Sequence, residues 1–206
     1  MFYYSLLDFS SMSDAETEAV RQRIKVYFPE VKSLKRKESV AARALLCYML
    51  DRCYGVTDFT VGCDDNGKPH ITDSNLYFNL SHSGKYALCV CGTENVGCDI
   101  EQIKAFNEKV AKRFFCENEF AALKECDNAS AVFTKLWTLK ESALKFSGKG
   151  ISGGLDSHDF SAYYKEDEIK MNNLVFNTFE VDGFAVSICS ENGEIIQLEA
   201  DISDII

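Results

Sequence analysis

Two carboxylates separated by one residue, in Val96-Gly-Cys-Asp-Ile-Glu101, are the sharpest chemical signal in the chain. In a strand, Asp99 and Glu101 project from one face about 7 Å apart along the chain, with Ile100 turned into the core. Like charges so placed repel unless a cation or a base lies between them. Carboxylate oxygens suit Mg²⁺, which commonly takes one or two of them together with substrate phosphate. A solvated strand end is the other reading that this pair admits by itself. A second group lies in Phe133-Thr-Lys-Leu-Trp-Thr-Leu-Lys-Glu-Ser-Ala-Leu-Lys145. As a helix, it carries an apolar stripe of Phe133, Leu136, Trp137 and Leu144, and it sets Trp137, Glu141 and Lys145 in a row at i, i+4 and i+8. Alone, Glu141 and Lys145 also fit a surface pair worth about 0.3–0.5 kcal/mol. The third group is Asn79-Leu-Ser-His-Ser-Gly84. Ser81, Ser83 and local backbone N–H groups could cradle a phosphate with His82 as a further donor, or could form a polar turn that caps free backbone groups.

The elements that must hold these groups follow from periodicity and breakers. Residues 2–8 read as a strand, and Ser13-Asp-Ala-Glu16 as a capping box opening a helix to about Phe28, before Pro29. A helix from about Glu38 to Tyr54 carries Val40, Ala44, Cys47 and Leu50 at helical spacing and ends before Gly55. Strands are expected at 58–63, 76–80, 85–92 and 96–101, punctuated by Asn66-Gly67, Ser83-Gly84 and Gly92; both prolines, Pro29 and Pro69, fall between elements. Helices follow at about 107–115, 117–126 and 130–146, and Gly148-Lys-Gly150 suits a C-cap and turn. Strands at 174–182 and 184–190 meet across Asp182-Gly183, and another is expected near 194–199. Long helices mix with antiparallel strands without regular βαβ alternation, so the fold class is α+β. Two similar-sized lobes, 1–102 and 103–206, are expected to meet near residue 102.

Composition sets the outer limits. The 206 residues carry 32 acids against 22 lysines and arginines, a net charge of −10, and 46% are hydrophobic. That length supports a core without disulfides, and the negative balance argues against broad nucleic-acid binding. No apolar run approaches the ~20 residues of a membrane helix, so no membrane association is expected. The opening residues lack a basic region and reach Asp8 early, unlike a secretory signal. Nine cysteines at irregular spacing, without a C-x-x-C, favour thiols buried as small hydrophobes in a reducing cytoplasm over disulfides or zinc. Charge is uneven, however. Residues 32–43 hold Lys32, Lys35, Arg36, Lys37 and Arg43 against Glu38 alone, a local +4 that would focus a field on an anion.

Taken in order, Gly67-Lys68-Pro69, the Asn-Leu-Ser-His-Ser-Gly segment, Gly-Cys-Asp-Ile-Glu, Phe114-Phe115 with Glu119, Trp-x-x-Lys-Glu-x-x-x-Lys and Gly-Lys-Gly-Ile form one set. This set resembles the 4′-phosphopantetheinyl transferases of the Sfp type over about residues 30–155, with the hairpin Phe179–Cys189 also fitting. The resemblance implies two related α+β lobes in one monomeric chain, a pseudo-dimer with its active site in the cleft between them. It implies transfer of the phosphopantetheine arm of coenzyme A to a serine of an apo acyl or peptidyl carrier protein, with Mg²⁺, releasing 3′,5′-ADP. Fatty-acid, polyketide, nonribosomal-peptide and siderophore carriers all remain open.

The resemblance also assigns roles. Asp99, Glu101 and Glu141 match the metal ligands, with Glu141 the favoured base, directly or through a water, and Lys145 matches the lysine at the pyrophosphate. Ser81 and His82 match contacts to coenzyme A phosphates, Gly67, Lys68 and Pro69 the adenine-side loop, and Arg43 a helix arginine at the 3′-phosphate. Lys35 is the candidate taken from the basic segment, where Lys32, Arg36 and Lys37 also remain possible. Lys140 matches the motif lysine in a role that could be structural, and Trp137 reads as packing first. Carrier docking is expected at about 110–125 and on the Gly148–Ser152 turn. The alternatives are a catalytically silent relative that binds coenzyme A or a carrier, and an unrelated Mg²⁺-dependent phosphohydrolase with water as acceptor.

Overall fold

The computed structural model describes residues 1–29, 34–149 and 158–206. Lys32 and the Gly150–Ser152 part of the expected docking turn lie outside them. The chain divides into two units, Met1–Val96 with Glu194–Ile206, and Gly97–Gly193.

In the first unit, β1 (Phe2–Asp8) leads to α1 (Asp14–Ile24), entered through the expected capping box. The Ser13 backbone N–H donates to Glu16 at 2.7 Å and the Glu16 N–H to the Ser13 hydroxyl at 3.2 Å. The chain tightens into a 3₁₀ turn at Lys25–Tyr27 instead of continuing as α-helix to Phe28. Next, α2 (Lys37–Tyr54) buries Val40, Ala41, Ala44, Leu45 and Leu50 and ends at Gly55, whose φ of 65° suits a left-handed cap. The short strands β2 (Val61–Cys63) and β3 (Pro69–Ile71) form a hairpin across Asn66-Gly67, so Pro69 opens a strand rather than lying between elements. Then β4 (Tyr77–Ser83) and β5 (Tyr86–Gly92) pair antiparallel. The sheet order is β10-β1-β5-β4, where β10 (Ile195–Gln197) runs parallel to β1. Helix α2 packs on this sheet through an apolar core that includes Leu7, Leu45, Met49, Phe78 and Cys89.

The second unit begins in β6 (Val96–Gln102) and continues through α3 (Glu108–Phe114), α4 (Glu117–Glu125) and α5 (Ala129–Ser147). Strands β7 (Glu168–Met171), β8 (Leu174–Val181) and β9 (Phe184–Ser190) complete a sheet of order β6-β9-β8-β7. Helix α5 crosses β9 and β8, and its Leu136 and Leu139 join Phe160, Ile169, Phe176 and Cys189 in the core. A final turn of helix, α6 (Ile202–Ile205), belongs to the first unit.

Mixed helices and antiparallel strands confirm the α+β class. The boundary expected after residue 102 needs correction at both ends. The carboxylate strand β6 hydrogen-bonds to β9 and therefore groups with the second unit, whereas residues 194–206 return to the first because β10 extends the sheet beside β1. The Asn79–Gly84 segment is also not a turn: β4 pairs through Ser83, and the chain reverses only after it. The nine cysteines, all among the described residues, are thiols outside any disulfide.

Candidate functional site

Four residues of the second unit meet where the sequence pattern anticipated. Asp99, 4% exposed, accepts a hydrogen bond on Oδ1 from Lys145 Nζ at 2.7 Å. Glu141 lies one helical turn before Lys145 on α5, so both side chains leave the same face. Burial raises the Glu141 carboxyl above its ordinary range, the negative charges of Asp99 and Glu101 add to that rise, and Lys145 opposes it. For Lys145, burial is the largest single influence and lowers its pKa. The combined pull of Asp99, Cys98 and Glu141 outweighs it, so the ammonium titrates above the usual lysine value. Three carboxylates and one ammonium therefore act on one another across β6 and α5. Such an oxygen-rich, net-negative set suits a hard divalent cation of the Mg²⁺ kind better than a soft metal.

The motif lysine between Trp137 and Glu141 serves a different purpose. Lys140 Nζ forms an ion pair with Glu119 Oε2 at 2.8 Å, their side chains 1% and 0% exposed, and it also donates to the His158 carbonyl at 2.7 Å. Glu119 Oε2 accepts from the Cys116 N–H at 3.1 Å and Oε1 from the Phe160 N–H at 3.0 Å. One buried pair thus joins the start of α4, the middle of α5 and residues 158–160. Trp137 stacks on Phe133 at 6.2 Å and meets Phe114 edge-on at 5.6 Å, as expected of a packing residue. Cys116, Glu119 and Asp159 bring ligand atoms within 4.8 Å of one another, yet both Glu119 oxygens are engaged by Lys140 and backbone N–H groups, so this cluster is no cation site.

The residues expected to meet coenzyme A lie in the first unit. Arg43 projects from α2, donates to the Ser39 carbonyl at 3.1 Å and hydroxyl at 2.5 Å, and lies 5.6 Å from the Phe28 ring centroid. Burial lowers its pKa, while the nearby Cys63 raises it. Gly67, at φ 82°, closes the β2–β3 turn beside Lys68 and Pro69. Lys68 Nζ donates to Asn95 Oδ1 at 2.7 Å and to the Val96 carbonyl at 3.4 Å, which ties the hairpin to the approach of β6. Ser81 is buried and His82 exposed on β4, so strand alternation turns them to opposite faces. Lys35 is exposed in the turn before α2.

Two contributors escaped the sequence reading. The pairing of Glu119 with Lys140 spans 21 positions and leaves no periodic trace, although acid and base each stood within a recognised motif. Gly97 is the other: it heads the Gly-Cys-Asp-Ile-Glu segment two residues before Asp99, but no role was assigned to it there.

An α+β fold with a carboxylate strand packed on a Lys-Glu-x-x-x-Lys helix defines the class. The profile of the 4′-phosphopantetheinyl transferase superfamily matches residues 95–189, a little under half of the chain. The chain is similar to 4′-phosphopantetheinyl transferases, Sfp among them, over part of their length. It is 35% identical over 154 residues to 4′-phosphopantetheinyl transferase Sfp of Bacillus subtilis (strain 168), covering 69% of this chain and 66% of that protein. It is 40% identical over 157 residues to 4′-phosphopantetheinyl transferase psf-1 of Bacillus pumilus, covering 68% and 66%. With 4′-phosphopantetheinyl transferase HetI of Nostoc sp. (strain PCC 7120 / SAG 25.82 / UTEX 2576) it shares 36% over 137 residues, covering 61% and 56%. The matched regions thus span just under two thirds of the first two relatives and less of the third. Among the described residues, no helix is long and apolar enough to cross a membrane.

Proposed function

We propose that this protein transfers 4′-phosphopantetheine from coenzyme A to a serine hydroxyl of an apo carrier protein in a Mg²⁺-dependent reaction that releases 3′,5′-ADP. The observation that carries this reading is the meeting of Asp99, Glu101, Glu141 and Lys145 in one unit, with Lys145 hydrogen-bonded to Asp99 at 2.7 Å. Asp99, Glu101 and Glu141 would hold the cation. When bound, Mg²⁺ neutralises the diphosphate and polarises the phosphorus under attack.

Lys145 adds a positive charge for the diphosphate, positioned by Asp99. Glu141 takes the proton of the attacking serine hydroxyl, directly or through a water, because a serine cannot ionise by itself near neutral pH. The new bond joins the serine oxygen to the phosphopantetheine phosphorus; the bond to the bridging diphosphate oxygen breaks, and 3′,5′-ADP leaves. Arg43, Lys68, Ser81, His82 and Lys35 supply the charges and donors for the nucleotide end, with Gly67 and Pro69 shaping the loop. Carrier docking at 110–125 is supported by exposed Lys112 and Lys124, whose ammonium groups lie 5.6 and 4.5 Å from the Phe120 ring centroid. Cations around a partly buried aromatic suit an acidic partner helix with an apolar centre.

The test is release of 3′,5′-ADP from coenzyme A with and without apo carrier. A transferase releases it only when a carrier is present. Equal release without a carrier would identify a hydrolase, and binding without release a silent relative.

A further inference from the structure

A side-chain-free residue sits where β6 meets the helix that carries Glu141 and Lys145. A Cβ at Gly97 would lie 2.1 Å from the Ser142 carbonyl oxygen, 2.4 Å from the Phe146 nitrogen and 2.9 Å from the Phe146 Cα. Ser142 and Phe146 are four apart in α5, so their C=O and N–H belong to one helical hydrogen bond. Gly97 thus rests against the backbone of the turn that bears the two functional side chains, each one residue before a contact point. Every crowded atom is main chain, so no rotamer change can make room.

Strand geometry extends the consequence. Gly97, Asp99 and Glu101 alternate onto one face of β6, about 7 Å apart in succession. With Gly97 against α5, Asp99 comes within 2.7 Å of Lys145 and its charge acts on Glu141. We infer that Gly97 is a positioning residue: its missing side chain lets β6 seat on the backbone of α5 and brings the strand carboxylates into register with Glu141. This inference rests on the metal-site reading given above. It explains why a glycine, unfavourable within a strand, precedes Asp99 by one alternation.

The test compares Gly97→Ala with Gly92→Ala and Ile100→Val. A Cβ at Gly92 would meet the buried Phe2 ring at 2.3 Å in the other unit, and Ile100 is fully buried on the opposite face of β6. Each variant is measured for thermal stability and for Mn²⁺ binding by calorimetry or electron paramagnetic resonance, well below its melting temperature. Gly97→Ala should lose about 10- to 100-fold in Mn²⁺ affinity, the range for residues that orient metal ligands. Gly92→Ala and Ile100→Val should lose stability while retaining natural affinity. Unchanged Mn²⁺ affinity in folded Gly97→Ala overturns the inference, as does an equal loss in Ile100→Val. Absence of Mn²⁺ binding by the natural chain would instead remove the metal-site reading itself. Should Gly97→Ala fail to fold, the natural chain decides: a strong nuclear Overhauser effect between a Gly97 Hα and the Phe146 amide proton is required, and its absence overturns the seating.

Discussion

Replacing Lys140 with Met isolates the structural role of the first lysine in the Lys-Glu-x-x-x-Lys motif. The substitution keeps the apolar stem and removes two bonds of the ammonium, 2.8 Å to Glu119 and 2.7 Å to the His158 carbonyl. Glu119 retains the Phe160 and Cys116 N–H donors at 3.0 and 3.1 Å but loses its counter-charge in a site with no solvent access. Two charge-assisted bonds at about 1.5–3 kcal/mol each, or a broken buried pair at about 3–5, both point to a loss of about 4 kcal/mol. For a chain of this size that lowers the melting temperature by about 10 °C. Denaturant unfolding followed by the fluorescence of Trp137, the single tryptophan, reads the second unit directly. Combining Lys140→Met with Glu119→Gln should cost about 2 kcal/mol less than the sum of the single losses, because the double change removes both charges. A Lys140→Met loss below about 0.5 kcal/mol, or strict additivity, would refute the assignment of the pair as a buried anchor.

Other outcomes follow from the same geometry. Glu141→Gln should lower transfer at least about 100-fold while coenzyme A binding is retained, as read by calorimetry beside a turnover assay. Asp159 has a pKa lowered to about 2: burial, the largest single influence, raises it but is outweighed by hydrogen bonds from Asn118, Ser161 and Cys116. Its contribution to stability is therefore complete above the ordinary carboxylate range of about 4 and disappears as pH falls through about 2. Asp159→Asn should show a shallower loss of stability over that acid window in denaturant titrations at successive pH values. Burial pushes the Cys47 thiol up to about 12, whereas Cys63 is exposed. Iodoacetamide at pH 8 should label Cys63 well before Cys47 by peptide mass mapping, since the thiolate is the reactive form.

The candidate site residues could be paired from the sequence because they are locally periodic. Asp99 and Glu101 follow the strand repeat of two, and Glu141 and Lys145 the helical repeat of four, so periodicity alone assigns each pair to one face. Capping residues did the same for α1, and Asp182-Gly183 for the β8–β9 hairpin, where φ values of 48° and 78° suit its tight turn. What stayed hidden depends on separation along the chain. The parallel pairing of β10 with β1 joins residues almost 200 positions apart and moves the end of the chain into the first unit. The β7–β8 turn uses Asn172 and Asn173 at φ 53° and 63°, without the glycine that would have marked it. Ser81, His82 and Ser83 looked like a turn by composition, yet pairing with Leu88, Ala87 and Tyr86 holds them in β4. Gly97 carries the same lesson for the site, since the contact made by a missing side chain belongs to α5 rather than to its neighbours in sequence.

Intact-mass spectrometry of apo carrier proteins incubated with the protein, coenzyme A and Mg²⁺ tests the transferase reading most directly. The natural chain should add one phosphopantetheine arm to the carrier serine, and the addition should vanish when Mg²⁺ is chelated or Glu141 is replaced by Gln. No mass gain on any acyl or peptidyl carrier, from folded protein that binds coenzyme A, would contradict it.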